Sequence, residues 1–151
     1  MKDRCRNNKG FTMIELVAVL VILGIIAAVV AVRMTGTTDY DLVSQVEVVK
    51  AHLRLTQSRA MTTGRPWGIT FTGPNPTTYY LFQEAAPATP VLLPGEDNVT
   101  VNLTTKKSAL TISPLPLTIT FDAYGSPGAV DISVTTNGGN FIVRKNTGFI
   151  Q

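Results

Sequence analysis

The chain has one cysteine, Cys5, and one histidine, His52, among its 151 residues. A single cysteine closes no disulfide within a chain, and this shortage leaves a zinc site without its ligands. It also leaves no Cys–His nucleophile pair beyond the first residues, and no Ser–His–Asp triad signature is present. No glycine-rich loop follows a strand in the way that cradles phosphate. No catalytic residue, metal ligand or cofactor is therefore assigned, and no enzyme is expected. Glu96-Asp97-Asn98 and Asp122 lack the spacing of a calcium loop and read as solvated turns. His52 reads as a packing residue at the surface or edge of a helix.

Unbalanced charge is scarce as well. The net charge is +3, and Lys2, Arg4, Arg6 and Lys9 against Asp3 hold all of that excess within residues 1–10. The remainder is neutral, which gives no global electrostatic case for nucleic acid.

What the sequence does contain is a long apolar run. From Leu16 to Val32 there is no charge, no proline and one glycine, Gly24. Counted from Phe11 and wound as a helix, the run is about 33 Å long. A bilayer's hydrocarbon core is about 30 Å thick, so this is a spanning segment. The basic flank keeps the N-terminus cytoplasmic and sends the rest outward. A cleaved secretory signal fits poorly, because the run is too long and a clear small-residue site does not follow it. Glu15 lies inside the run. A carboxylate costs about 2.5–3.5 kcal/mol at the centre of a spanning helix and less near its end, so its retention points to a partner.

Lys9-Gly10-Phe11-Thr12-Met13-Ile14-Glu15 ahead of an apolar helix resembles the class III leader of type IV prepilins and type II secretion pseudopilins. The resemblance covers the leader and the apolar helix. It implies cleavage after Gly10 by a prepilin peptidase and N-methylation of the new terminus at Phe11. It also implies that Glu15 neutralises the terminal amine of a neighbouring subunit, which spares both groups an unpaired stay in hydrocarbon. The implied partners are other pilin or pseudopilin subunits, an inner-membrane assembly platform and the membrane itself. The implied location is the bacterial inner membrane, in a single pass with a periplasmic C-terminal domain, and then a filament. The implied fold is α+β and type IV pilin-like, a long N-terminal helix whose second half packs on an antiparallel sheet. The corresponding divisions are 1–10 (leader), 11–33 (membrane helix), 34–63 (second half of the helix) and 64–151 (β domain). Cys5 would leave with the leader. The mature domain would then lack the disulfide of many major pilins, which favours the pseudopilin side.

Beyond the apolar run, residues 33–38 hold a glycine and three threonines and predict a bend or melted turn. Val32 stands where major pilins often carry proline. Asp39 or Asp41 is the expected cap of a renewed helix. Leu42, Val46, Val49, Leu53 and Ala60 then recur at helical spacing, with a gap at Thr56, until Gly64 and Pro66 stop the helix. Strands are expected at 67–72 and 79–83 about a Gly73–Thr77 turn, then at 99–103, 110–112, 117–121, 130–135 and 141–144, with residues 84–98 as a loop. Val130, Ile132 and Val134 share one face of their strand. Asn137-Gly138-Gly139 predicts a hairpin turn.

Gln57-Ser58-Arg59-Ala60, Trp67–Thr72, Phe121-Asp122-Ala123-Tyr124-Gly125, Phe141-Ile142-Val143 and Thr147-Gly148 together resemble the H-type minor pseudopilins, a group that includes the minor pilins FimT and FimU. The expected function is thus a minor pseudopilin or pilin subunit at the tip or initiation complex of a secretion pseudopilus or type IV pilus. The alternatives are a DNA-uptake minor pilin and a major pilin. Candidate DNA contacts are Lys50, Arg54, Arg59, Arg65, Arg144 and Lys145. DNA-uptake members place arginines around and just after a terminal glycine, whereas Gly148 is followed here by Phe149, Ile150 and Gln151. The expected reading of these cations is solvated charge that guards sheet edges.

Overall fold

The computed structural model describes residues 11–34, 37–84, 89–106 and 108–151, without the side chains of 32–39. The leader, including Gly10 and Cys5, and residues 35–36 of the expected bend lie outside the described residues. The chain divides into two compact units, the first ending at Thr37 and the second running from Thr38 to Gln151.

In the first unit, helix α1 spans Met13–Met34. Thr12 stands at its N-cap, with its carbonyl accepting from the Leu16 N–H at 3.2 Å and its hydroxyl facing the Glu15 N–H at 3.4 Å. The large apolar side chains of α1 are exposed all round within the single chain. Its Met13–Ala31 stretch is long and apolar enough to cross a membrane.

The second unit opens with α2, Thr37–Thr63. The helix begins before Asp39 and Asp41, so both lie inside its first turns and neither is the expected cap. Val46, Val49, Leu53 and Ala60 are buried on one stripe. Thr56 fills the gap in that stripe. It is fully buried and donates its hydroxyl to the His52 carbonyl at 2.7 Å, which removes the cost of burying it. Gly64, at φ +64°, ends the helix in the left-handed region that glycine enters without penalty.

Among the described residues, eight short strands follow: β1 (Trp67–Thr72), β2 (Thr78–Gln83), β3 (Pro90–Val91), β4 (Thr100–Asn102), β5 (Ile112–Ser113), β6 (Leu117–Phe121), β7 (Ile132–Thr136) and β8 (Phe141–Val143). One antiparallel sheet runs β3-β2-β1-β6, with β4 also pairing with β2. Its register sets Ile69 opposite both Leu81 and Ile119, and all three join Leu53 of α2 in one buried cluster. A second sheet runs β5-β7-β8, and the terminal Ile150 bridges back to Val143. The antiparallel sheets with α2 packed into their core give the α+β, type IV pilin-like fold expected.

The differences from expectation have local causes. The strand expected at 130–135 starts only at Ile132, and Val130 is 72% exposed rather than sharing a buried face. Asp131 explains this: its carboxylate takes the Lys145 N–H at 2.7 Å, a group that a longer ladder would have used. The strand expected at 99–103 shrinks to Thr100–Asn102. The Asn102 side-chain oxygen accepts the N–H of Thr104 at 2.9 Å and turns the chain. The strand expected at 110–112 shifts to Ile112–Ser113, because Asn137 Oδ1 occupies the Thr111 N–H at 3.0 Å. The expected loop at 84–98 contains β3.

Candidate assembly and processing site

Phe11 is 83% exposed at the head of α1. Glu15 follows one turn later, also exposed, with its backbone N–H tied to Thr12. No described residue bonds the Glu15 carboxylate. A Thr at the cap and a Glu three residues on is the pattern of a reciprocal capping box. Here the Thr12 side chain approaches the Glu15 N–H, while no described residue returns the carboxylate to the cap.

Distant pieces of the chain converge near the other end of α2. Gln57 Nε2 donates to the Gly125 carbonyl at 2.8 Å and to the Thr147 carbonyl at 2.9 Å. A Cβ on Gly148 would collide with Gly125 O and Gln57 Nε2 and would stand 3.0 Å from the Phe121 ring. Asp122 shapes the facing turn, its carboxylate accepting from the N–H of Tyr124 at 2.9 Å and of Ser126 at 2.8 Å. Arg59 lies over the Trp67 ring, 5.2 Å from its centroid. Five of the residues that carry the H-type resemblance, Gln57, Phe121, Gly125, Thr147 and Gly148, thus meet at one junction.

The prokaryotic N-terminal methylation motif matches residues 5–31. Its N-terminal segment is that of the type IV prepilin-like family. No curated protein matches this chain, and no solved structure matches it.

In this prepilin-like chain the motif implies subunit assembly, membrane anchoring through α1 and prepilin-type processing in general terms. The six candidate DNA-contact residues do not form one free basic surface. Lys50 pairs with Glu47 at 2.8 Å, Arg65 with Glu84 at 2.6 Å and Arg144 with Asp131 at 2.9 Å. Arg59 is engaged by Trp67. Arg54 and Lys145 are exposed on α2 and after β8 respectively. Glu96 and Asp122 do not combine toward calcium. Glu96 pairs with Lys106 at 2.8 Å, and the described residues contain no cluster of ligand-type side chains able to hold a metal.

His52 corrects an expectation. It is buried rather than at the surface. Its Nδ1 lies 2.8 Å from the Tyr79 hydroxyl and its Nε2 lies 3.4 Å from the Pro94 carbonyl. The tautomer protonated at Nε2 satisfies both, with Tyr79 donating to Nδ1. Burial lowers the His52 pKa, opposed by the Pro94 carbonyl and Glu96. Burial pushes the Tyr79 hydroxyl up. The pair is a neutral polar contact inside the core. Tyr79 lies 27 positions from His52 along the chain, and nothing in either local pattern signals the pairing.

Proposed function

We propose that the chain is a minor pseudopilin or minor pilin of the H-type group, built into a secretion pseudopilus or type IV pilus at its tip or initiation complex. The observation that carries this reading is the carboxylate of Glu15, which no described residue bonds, at the head of an apolar helix whose side chains are exposed among the described residues. Cleavage after Gly10 would create a new amine at Phe11, and a neighbour's amine is the complement that Glu15 lacks. The assembly platform would draw α1 out of the inner membrane into a filament core, where other subunits cover it. The basic leader favours a cytoplasmic N-terminus and a periplasmic second unit.

Two observations support the minor, structural assignment over the alternatives. The Gln57–Gly125–Thr147 junction joins three separate segments of the H-type resemblance. Four of the six cations considered for DNA are already engaged within the chain, and a phosphate track needs several free ones. The test is quantitative recovery of the chain from sheared filaments, with a salt-dependent DNA mobility shift on the same protein. The expected result is a small share of the filament mass and no shift. A bulk share would make it a major pilin, and a salt-sensitive shift would make it a DNA-uptake subunit.

A further inference from the structure

Three asparagines stand two places before a threonine: Asn75, Asn98 and Asn102. Asn-x-Thr is the acceptor pattern for N-linked glycans wherever x is not proline. Pro76 therefore removes Asn75 and leaves two candidates. The structure separates them. Asn102 is half-buried, and its Oδ1 accepts from the N–H of Thr104 at 2.9 Å and of Thr105 at 3.3 Å. The Thr104 hydroxyl, the other half of that motif, accepts from the Thr77 N–H at 3.0 Å. Leu103 between them is buried. A transferase would have to dismantle this turn before it could reach the amide.

Asn98 is the opposite case. Asn98, Val99 and Thr100 are all exposed, and residues 92–99 belong to no strand. Among the described residues nothing bonds the Asn98 amide or the Thr100 hydroxyl. Glu96 stands two places before Asn98 and extends the motif to Glu-x-Asn-x-Thr, the form that bacterial oligosaccharyltransferases accept. Its carboxylate pairs with the exposed Lys106 at 2.8 Å, a surface contact that yields at small cost. We propose that Asn98 is an N-glycosylation acceptor whose donor is a polyprenyl-diphosphate-linked oligosaccharide. The Asn98 amide nitrogen bonds to the anomeric carbon of the first sugar. The bond from that carbon to the diphosphate oxygen breaks, and the diphosphate leaves with the electron pair. The nitrogen gives up one proton to a base of the transferase. Such donors are presented on the outer face of the membrane, so the proposal rests on the periplasmic reading of the second unit in the previous section. A glycan is bulky and hydrated, and neighbouring subunits could not cover it. The 96–100 segment would therefore face outward from a filament.

The test is the intact mass of the full chain purified from its native cells. Wild type should carry the added mass of a glycan. Asn98→Gln and Thr100→Val should each lose that mass, whereas Thr100→Ser and Asn102→Gln should keep it. Glu96→Gln should lower the share of chains modified. Asn98 and Thr100 are exposed, so their substitutions should not threaten folding, and equal melting temperatures of the unglycosylated chains check this. Wild type at its unmodified mass overturns the proposal. So does a mass excess that survives Asn98→Gln, or one that is lost with Asn102→Gln instead. A chain carrying Cys5→Ser and Asn140→Cys, exposed to a membrane-impermeant maleimide in spheroplasts, tests the periplasmic reading separately. Labelling of that chain with Asn98 unmodified overturns the acceptor assignment and leaves the periplasmic reading standing. Failure to label overturns both, because the donor and the acceptor would then lie on opposite sides of the membrane.

Discussion

Gln57 on α2 holds the Thr147 carbonyl at 2.9 Å across 90 residues of sequence, and the same amide nitrogen holds the Gly125 carbonyl. One side chain thus ties the helix to the turn after β6 and to the turn that brings the C-terminus back along β8. The return is completed by Gln151 N–H donating to the Ile142 carbonyl at 3.0 Å. Removing the amide leaves both carbonyls without this donor. Gln57→Ala should cost about 1–3 kcal/mol, from about 0.5–1.5 kcal/mol per hydrogen bond. Gly148→Ala should cost at least as much, because φ is +65° and a Cβ meets Gly125 O. Thermal unfolding of the two variants checks this, and an unchanged midpoint for Gln57→Ala would show that the turns hold themselves.

Leu53 is fully buried among Ile69, Leu81 and Ile119. Leu53→Ala should destabilise the second unit by about 2–5 kcal/mol, the range for a buried leucine truncated to leave a cavity. Chemical denaturation of the variant measures it. A difference below about 0.5 kcal/mol, the size of a surface effect, would mean that the side chain is not packed as described.

The core was legible in the sequence and the edges were not. The stripe Val46-Val49-Leu53-Ala60 and the alternation at Ile69, Leu81 and Ile119 announce which faces meet, because burial imposes its period directly. Strand ends at Asp131 and Asn102 follow instead from side chains capturing backbone N–H groups, a competition that periodicity does not record. Gly138 teaches a related lesson. Asn137-Gly138-Gly139 reads as a hairpin turn, and it does join β7 to β8. Yet a Cβ on Gly138 would stand 2.7 Å from the Leu42 carbonyl oxygen of α2, so this glycine is needed for close approach to the helix. At the candidate site, Phe11 and Glu15 were legible because an acid in an apolar run is conspicuous. The His52–Tyr79 pair was not, because its two members come from distant parts of the chain.

Acid should loosen the second unit through His52. Burial lowers its pKa in the folded chain below the ordinary histidine value of 6.5, so the unfolded chain binds the proton more readily. The stability this gives is full above the unfolded pKa and is lost as pH falls toward the folded pKa. Glu96 and Lys106 face the ring with opposite effects. Glu47 and Asp131, whose pKa values are also lowered, lose their contribution only in the carboxylate range below about 4. The midpoint of wild type should therefore fall between about pH 7 and pH 5. His52→Gln should be less stable at pH 7 and show a flatter profile over that window. Parallel profiles would remove His52 as the cause.

Processing should depend on Gly10. The peptidase must reach the bond before Phe11 closely, and a side chain on the preceding residue obstructs that approach. Gly10→Val should accumulate precursor that retains Cys5 and the basic leader, detected by size and by labelling of the Cys5 thiol. Mature-size protein from this variant would move the cleavage point elsewhere.

Glu15 decides between a local and an intersubunit role. If its carboxylate serves only the cap of its own helix, Thr12 keeps much of that function through its own contacts with Glu15 N–H and Leu16 N–H. Glu15→Ala would then assemble as wild type does. If the carboxylate meets a neighbour's terminal amine, nothing is lost while the helix rests alone in the membrane, and a charged amine is left unpaired once α1 enters a filament. The expected outcome is the second. Glu15→Ala should insert, be processed and fold as wild type does, and be depleted from sheared filaments relative to its membrane pool in the same cells. Glu15→Asp should recover part of the loss, because the carboxylate falls short of the amine by one methylene. Equal filament-to-membrane ratios for wild type and Glu15→Ala would assign the carboxylate to its own helix and remove the amine pairing from the assembly mechanism.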